Sequence, residues 1–343
     1  MALAAAGQRA DVNQARCLNR RIRRINCQKC ETVCPNRSMR VELSNRDVPV
    51  SLTDSCTGCG LCVAACPAEA IVVPHKPPKP ELKNGAVEFG CSKLQLDSSM
   101  ECLGMLDAYV LTYFGVKAEQ VRISLDSHRC EVCNPGVAAA VKQTVEMANT
   151  VLRKLGRQDI QLTLRRGKED IKINRRELFA FCFSRARETL LDMLPLSLHQ
   201  DTSYRQLLIE SIPAETAQSS KRDMSPLFWG GKVNEHCDMC GICVRSCQQD
   251  ALILTVEEQG GYRKLLHNQS KCIGCRACTL LCPRSALQID NALSSIKIIA
   301  SQKAVALTGK KCCTQCGKVM APEAPLLCEQ CLPGRNSYLQ SIY

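Results

Sequence analysis

The residues of this sequence with the greatest capacity for chemistry are its cysteines, which number 26 among 343 residues. In a reducing compartment thiols do not form stable disulfides, and clustered thiols there usually bind metal. The cysteines form four islands, which run from Cys17 to Cys66, from Cys91 to Cys133, from Cys237 to Cys282 and from Cys312 to Cys331. Cys182 lies alone between the second island and the third. The spacing within the islands predicts which metal group each one holds.

The third island contains two runs of the form C-x2-C-x2-C-x3-C, the second of which ends in Cys-Pro. Gaps of two residues turn successive thiolates toward one centre, and the fourth cysteine of such a run ligates the neighbouring cluster. We therefore predict one [4Fe-4S] cluster on Cys237, Cys240, Cys243 and Cys282, and a second on Cys272, Cys275, Cys278 and Cys247. We also expect each fourth cysteine to begin a helix. Residues 230–292 resemble bacterial two-cluster ferredoxins, and zinc bound by repeated C-x2-C pairs is the alternative.

The first island repeats this pattern with one departure, so the chain contains a duplicated module. Its second run is complete and ends in Cys66-Pro67, whereas Arg24 occupies the place of the first cysteine in its first run. Crossed pairing predicts one cluster on Cys34, Cys56, Cys59 and Cys62. The other cluster would take Cys27, Cys30, Cys66 and, as the nearest spare thiol, Cys17. The alternative is a three-cysteine site that holds a [3Fe-4S] or an open-iron cluster.

The second island spaces its cysteines too widely for a cubane loop, with gaps of ten, 27 and two residues. Cys91, Cys102, Cys130 and Cys133 would instead meet at the end of a small α/β layer. The pattern resembles thioredoxin-like [2Fe-2S] ferredoxins, and residues 88 to about 185 are similar to the small iron–sulfur subunit of hydrogenase–heterodisulfide reductase complexes. The resemblance implies a [2Fe-2S] cluster on these four cysteines, in a subunit that passes electrons between a hydrogenase or dehydrogenase and an electron-bifurcating partner. Zinc, or a redox disulfide between Cys130 and Cys133, is the alternative.

The fourth island ends in two C-x2-C pairs separated by eleven residues. Two such pairs that face each other form an all-sulfur tetrahedral site, so Cys313, Cys316, Cys328 and Cys331 predict a zinc-ribbon-like knuckle. A rubredoxin-like single iron is the alternative, and Cys312 is a spare thiol that could exchange with Cys313. A small lid stapled by metal is the expected role, because this segment has almost no apolar core.

The segments between the islands indicate the elements that must position these thiols. A proline-rich linker occupies residues 74–80, and strands are expected over 121–126, 161–166 and 170–173. Apolar spacing predicts helices over 137–155, 175–194 and 204–211, with Cys182 as a buried thiol. The fold class is therefore α+β, with two ferredoxin-like dicluster modules flanking a thioredoxin-like α/β domain. The predicted divisions are residues 1–80, 81–175, a helical linker over 176–229, 230–300 and a zinc-ribbon-like tail over 301–343.

Several other classes of protein are disfavoured by the sequence. The N-terminus does not resemble a signal peptide, and no run approaches the roughly 18 apolar residues that a membrane span requires, so we expect a cytoplasmic protein. The formal charge of +12 is nearly cancelled if six thiolate sites each carry about −2, and few aromatic residues accompany the arginines, so nucleic-acid binding is not expected. The sequence also has no dinucleotide fingerprint and no P-loop.

These observations predict an iron–sulfur electron-transfer protein that relays single electrons through several [4Fe-4S] clusters. Because no flavin or nicotinamide site is visible, its partners would be redox proteins: a flavin- or nicotinamide-dependent oxidoreductase, or subunits of a hydrogenase or reductase. Two alternatives stay open. One is an iron–sulfur enzyme with an open-coordination cluster near Cys27, Cys30 and Cys66, and the other is an iron–sulfur sensor of redox state or oxygen.

Overall fold

The computed structural model describes residues 9–22, 24–73, 84–91, 99–165, 203–212, 226–257 and 261–332. The predicted linker over 74–80, the strand over 170–173, the helix over 175–194 and Cys182 lie outside these residues. The described residues form three units, which we call the N-terminal domain (9–73), the middle domain (84–165) and the C-terminal domain (226–311). In the part of the chain that the structure describes, no helix combines the length and the apolar character that a membrane crossing requires.

The N-terminal domain consists of two antiparallel strand pairs and three short helices. Its elements are β1 (Asp11–Val12), α1 (Leu18–Arg21), α2 (Lys29–Thr32), β2 (Met39–Val41), β3 (Val50–Leu52), α3 (Leu61–Ala65) and β4 (Ile71–Val72). β1 pairs with β4, and β2 pairs with β3, so the chain closes on itself around two cysteine-bearing loops. Few side chains fill the small core, which includes the cysteines themselves.

The middle domain is an open parallel sheet covered by helices. Its elements are β5 (Ala86–Cys91), β6 (Ser99–Met100), α4 (Ala108–Lys117), β7 (Gln120–Asp126), α5 (Ser127–Cys133), α6 (Val137–Lys154) and β8 (Gln161–Arg165). The strand order is β6-β5-β7-β8, and every pairing is parallel. The predicted strands at 121–126 and 161–166 and the helix at 137–155 are confirmed within one residue. The thioredoxin-like assignment of this domain stays a prediction.

Helix α6 shows why these predictions succeed. Apolar residues at helical spacing, including Val141, Val145, Ala148 and Leu152, are all buried against the sheet. Helix α7 (Tyr204–Ser211), which also matches its predicted range, packs on α4 through Leu208 and Ile209. The same apolar core extends to Phe228 and Ile299 next to the C-terminal domain, so the three units share buried surface.

The C-terminal domain repeats the N-terminal layout and enlarges it. Its elements are β9 (Gly230–Val233), α8 (Ile242–Ser246), β10 (Leu252–Glu257), β11 (Tyr262–His267), α9 (Ala277–Leu280), β12 (Leu287–Asp290), α10 (Ile296–Ser301) and β13 (Val305–Lys311). β9 pairs with β12 and β10 with β11, as β1 and β4 and β2 and β3 do in the first copy. β13 adds a third antiparallel strand beside β11. Most of this strand therefore belongs to the sheet of the C-terminal domain, although the sequence assigned it to a separate tail.

Candidate functional site

Each of the four cysteine runs ends in the same local structure. The third cysteine of every run lies within a short helix, and the fourth follows just after that helix ends. The fourth cysteines are Cys34 after α2, Cys66 after α3, Cys247 after α8 and Cys282 after α9. The expectation that the fourth cysteine begins a helix is therefore wrong. A residue in the left-handed conformation, three positions after each of these cysteines, turns the chain instead: Arg37, Glu69, Asp250 and Ser285.

This turn directs a backbone donor at each fourth sulfur. The donors are the N–H groups four residues after the cysteine, at 3.2 Å from Ser38 to Cys34 Sγ and at 3.3 Å for Ala70, Ala251 and Ala286. A hydrogen bond to a ligand sulfur favours the thiolate and helps set the potential of a cluster bound there. The next residue is apolar and buried in all four copies, which anchors the turn in the core: Met39, Ile71, Leu252 and Leu287.

The structure brings the predicted crossed sets together. One cavity is lined by Cys34, Cys56, Cys59 and Cys62. A second cavity of the N-terminal domain is lined by Cys17, Cys27, Cys30 and Cys66. In the C-terminal domain a cavity is lined by Cys237, Cys240, Cys243 and Cys282. In each case, one thiol comes from the neighbouring run.

The fourth set, Cys247, Cys272, Cys275 and Cys278, gathers beneath Trp229. The indole ring lies so close to Gly274 that a Cβ there would be 2.0 Å from it, so only glycine fits at position 274. Burial raises the pKa of Cys272 to about 11, and the nearby thiols of Cys275 and Cys247 add to this. Cys247, from the other run, therefore lies close to this set, as the crossed pairing predicts.

Cys17 reaches its cavity from outside the usual loop. It precedes α1, and it is buried together with Cys30. Asn19, two residues later and 1 % exposed, holds the ligand loop by accepting from the Cys27 N–H and donating to the Cys27 carbonyl, each at 2.8 Å. Arg24, at the position of the expected cysteine, is exposed to solvent. The arrangement supplies a fourth thiol to a run that has only three cysteines of its own.

The electrostatics of the four sets favour a positively charged group among the thiols. Burial raises the pKa of Cys30 to about 12, and the neighbouring thiols of Cys27 and Cys66 add to the effect. Burial, followed by Cys237, likewise raises the pKa of Cys243 to about 11. Four thiolates would repel one another in such surroundings unless a metal core compensated their charge. Four sulfurs around a cavity, with a backbone N–H on one of them, are a donor set that fits a [4Fe-4S] cluster, which would supply one-electron chemistry.

The sets lie next to one another as well as within their own loops. Burial and its own set raise the pKa of Cys62, and Cys30 of the other N-terminal set adds to this. Cys243 has the same effect on Cys278 in the C-terminal domain. Burial also raises the pKa of Cys275, where Cys247 and, from the other domain, Cys27 contribute. Every set therefore has a neighbour close enough to interact electrostatically.

The four cysteines of the middle domain meet at the carboxyl ends of its strands. Cys91 is the last residue of β5, and Cys130 and Cys133 lie on α5, which begins directly after β7. Burial raises the pKa of Cys102 to about 12, with contributions from Cys59 of the N-terminal domain and from Cys130. Gly104 allows this approach, because a Cβ there would lie 2.5 Å from the Cys59 carbonyl oxygen. The middle cysteines thus adjoin the set of Cys34, Cys56, Cys59 and Cys62.

The last four cysteines form the tightest group of ligand atoms among the described residues. The sulfurs of Cys313, Cys316, Cys328 and Cys331 all lie within 4.8 Å of one another. The N–H of Cys328 donates to Cys313 Sγ at 3.3 Å, and backbone donors of Cys316 and Cys328 lower the pKa of Cys313 to about 6. Cys312 is buried and lies beside the C-terminal domain, where it packs in the same core as Cys237. This knuckle has the size for a single metal ion rather than a cluster.

Several residues that shape these sites were missed by sequence reasoning. Asn19, Trp229 and the left-handed residues after each fourth cysteine carry no motif of their own. The sequence does hold a signal for the turns, since each fourth cysteine begins the pattern C-x3-[Ser/Ala]-apolar in CPNRSM, CPAEAI, CQQDAL and CPRSAL. The position of Cys17 has no such signal, because the nine residues that separate it from Cys27 follow no ferredoxin spacing.

Comparison with known proteins supports the assignment of the two Cys-rich domains. Residues 25–85 and residues 236–286 each match a family described as a 4Fe-4S dicluster domain. The chain is also 39 % identical over 54 residues to the ferredoxin-type protein NapF of Haemophilus influenzae, an alignment that covers 15 % of this chain and 31 % of that relative. The chain thus spans less than a third of the length of this relative. Taken with the arrangement of the thiols, these matches show that the chain contains two 4Fe-4S dicluster domains of the ferredoxin type.

Proposed function

We propose that this protein relays single electrons through four [4Fe-4S] clusters as a subunit or partner of a larger oxidoreductase. The observation that carries the proposal is the crossed arrangement, in which each of three cavities is lined by four thiols, one of which comes from the neighbouring run. Such crossing puts two clusters of one domain side by side, which favours electron transfer over storage or catalysis.

The ligands in this proposal are the thiols of the four sets, and Cys17 completes the set that otherwise has three. A complete set of four thiolates leaves no iron free for substrate, so Cys17 favours a carrier over the open-cluster enzyme. Asn19 holds the Cys27 loop against α1, which keeps Cys17 on the wall of the cavity. The sensor alternative would instead require a cluster that is lost readily.

For the middle domain we propose a [2Fe-2S] cluster on Cys91, Cys102, Cys130 and Cys133. These thiols lie at or just after the carboxyl ends of three neighbouring parallel strands, β5, β6 and β7, where open sheets commonly bind their ligands. They are more widely placed than the sulfurs of the knuckle, which favours a group larger than a single ion. For the knuckle we propose zinc, which prefers four sulfur ligands in a closed tetrahedral site.

The partners in this proposal are redox proteins that carry the flavin or nicotinamide chemistry this sequence lacks. The relative is named a ferredoxin-type protein, which is consistent with redox proteins as partners. A cytoplasmic location is proposed from the reduced state that so many metal-binding thiols require.

Metal analysis of the anaerobically purified protein tests the proposal. We expect about 16 to 18 Fe per chain with equivalent sulfide, together with about one Zn. Redox titration should then show reversible one-electron steps. Fewer than about 8 Fe after full reconstitution would contradict two complete dicluster domains, and unfolding triggered by oxygen in place of reversible reduction would favour the sensor.

A further inference from the structure

The described residues between Cys17 and Cys27, which are 18–22 and 24–26, pack on the other dicluster domain. Leu18, Ile22 and Ile25 are at most 8 % exposed, and they form one buried apolar cluster with Ala277 of α9. Ala277 itself is 1 % exposed. A contact of this kind removes apolar surface from water at the boundary between two domains. It therefore stabilises the boundary more than an exposed ion pair would.

This apolar cluster also contains a ligand-set cysteine from each domain. Cys27 of the N-terminal domain and Cys275 of the C-terminal domain both pack against it, together with Ala68 and Leu281. The contact therefore joins the set of Cys17, Cys27, Cys30 and Cys66 to the set of Cys247, Cys272, Cys275 and Cys278. No other pair of sets from the two domains is brought together by a buried cluster of the described residues.

Helix α7 bridges the same two loops by hydrogen bonds. Ser203, the N-cap of α7, donates to the carboxylate of Glu69 at 2.8 Å, and Glu69 lies three residues after Cys66. Arg205 donates to the carbonyl oxygen of Cys272 at 2.8 Å, and its guanidinium faces the Tyr109 ring of the middle domain. Two independent sets of contacts thus fix the same pair of cysteine loops relative to each other.

This packing gives a physical reason for the displaced cysteine. In the three complete runs, left-handed residues lie two and four positions after the first cysteine, and they form a compact loop: Gly58 and Gly60, Met239 and Gly241, Gly274 and Arg276. The corresponding residues of the first run, Asn26 and Gln28, are not left-handed. The chain before Cys27 instead forms α1 and a turn in which the Ile25 N–H donates to the Ile22 carbonyl, and its apolar side chains pack against Ala277. The ligand supplied from Cys17 leaves residues 18–26 available for that contact.

We propose that residues 18–22 and 24–26 are a docking segment that joins the two dicluster domains, and that electrons cross between the domains where Cys27 and Cys275 both pack against this apolar cluster. This inference rests on the proposed function. The crossing would be a one-electron exchange. One electron would leave the group held by one set of cysteines and enter the group held by the set across the junction, and no proton would move and no covalent bond would form or break. The cysteine sites then follow one another in a row. The middle domain lies at one end of this row, beside Cys59, and the knuckle lies at the other end, beside Cys237.

The docking is tested by hydrogen exchange of the full chain. Ile22→Asp puts a charge into the junction, and Ile22→Ala removes contact without a charge. We expect amides of residues 18–26 and of residues 277–281 to exchange at least about tenfold faster together in Ile22→Asp, with a smaller change in Ile22→Ala. Ile289→Ala, which truncates another buried isoleucine, within the C-terminal domain, is the matched control and should leave residues 18–26 protected.

The electron crossing is tested on the same variants by EPR of the reduced protein. The wild type should show magnetic interaction between the domains, and Ile22→Asp should lose it while keeping the interaction within each domain and the full iron content. Unchanged protection of residues 277–281 in both Ile22 variants overturns the docking. Loss of docking with unchanged magnetic interaction overturns the crossing. Wild-type protein with no reversible one-electron reduction at all would instead contradict the proposed function.

Discussion

The two dicluster domains have the same layout but differ in how each completes its first ligand set. In the C-terminal domain the first run supplies Cys237 from its own loop, which turns through left-handed Met239 and Gly241. In the N-terminal domain the equivalent ligand position is Arg24, and Cys17 lies on the cavity from the far side of α1. The fourth-cysteine turns, by contrast, are the same in both domains. The turn after the fourth cysteine is therefore the same in both domains, whereas the position from which the first ligand comes differs between them.

The two domains also differ in what covers them. The C-terminal domain carries an added strand, β13, which leads into the knuckle, and Trp229 lies over one of its loops. The N-terminal domain is covered by the middle domain, where Gly60 lies so close to Met105 that a Cβ at residue 60 would be 2.5 Å from the Met105 Cβ. Each domain therefore exposes a different face of a common scaffold, which is expected if the two serve different neighbours.

The largest effect should come from removing a fourth cysteine, because both domains share that feature. We expect Cys34→Ser to damage the group held by Cys56, Cys59 and Cys62, with loss of up to about four Fe. Cys282→Ser should have the equivalent effect on Cys237, Cys240 and Cys243. Mössbauer spectra and iron content measure both variants. Loss confined to the group of Cys27 and Cys30 in Cys34→Ser would show that the pairing is not crossed.

Removal of Cys17 should have a smaller effect, confined to one iron. With three thiolates left, the group should convert to a [3Fe-4S] form with a new EPR signal in the oxidised state, while the other groups persist. Cys312→Ala is the control, since Cys312 is equally buried but belongs to none of the four sets. A wild type that already shows this signal, or a variant that matches the wild type, would mean that Cys17 is not a ligand.

Mild acid should distinguish the two domains. His267 of β11 is fully buried, and neither ring nitrogen has a hydrogen-bond partner among the described residues; burial lowers its pKa to about 4. Because the folded state favours neutral His267, the full free energy of unfolding is present above the ordinary histidine pKa of about 6.5. As the pH falls from there toward 4, the free energy of unfolding should decrease by about 3 kcal/mol. Residues 9–73 contain no histidine. Hydrogen exchange measured between pH 7 and pH 4.5 should show that the amides of β10 and β11 lose protection first as the pH falls.

His267→Leu should remove that difference between the domains, because leucine fills the site without a titrating group. If the C-terminal domain of this variant still loses protection as pH falls toward 4.5, a group other than His267 is responsible.

A smaller effect is expected from the asparagine that holds the displaced loop. Asn19→Ala leaves the Cys27 N–H and carbonyl without their partner and should lower the free energy of unfolding by about 2 kcal/mol. It should also speed the loss of iron to a chelator. Asn149 is a matched control, because it accepts from the Ile160 N–H at 2.8 Å and donates to the Ile160 carbonyl at 3.5 Å, far from these thiols. Asn149→Ala should cost similar stability with iron loss unchanged; equal iron loss in both variants would show a general loosening.

Local patterns were predictable from the sequence where one short stretch sets the outcome. The apolar spacing of residues 137–155 predicts α6, and the two-residue gaps predict which thiols share a cavity. The start of a helix at the fourth cysteine was not predicted correctly, because the short helix already contains the third cysteine and a left-handed residue then turns the chain. The strand β13 was also assigned to the tail, since pairing with β11 depends on residues about 40 positions away.

The number and spacing of the cysteines determined by themselves that this protein has two dicluster domains, because a loop of fixed length can bring its own sulfurs together without help from the rest of the chain. Only the tertiary structure decided which sets face each other across the domains and where Cys17 lies. Those features depend on apolar contacts between residues far apart in sequence, such as Ile22 and Ala277, and on buried hydrogen bonds such as that of Arg205 to Cys272. Burial of this kind is set by how whole elements pack, and no local pattern specifies it.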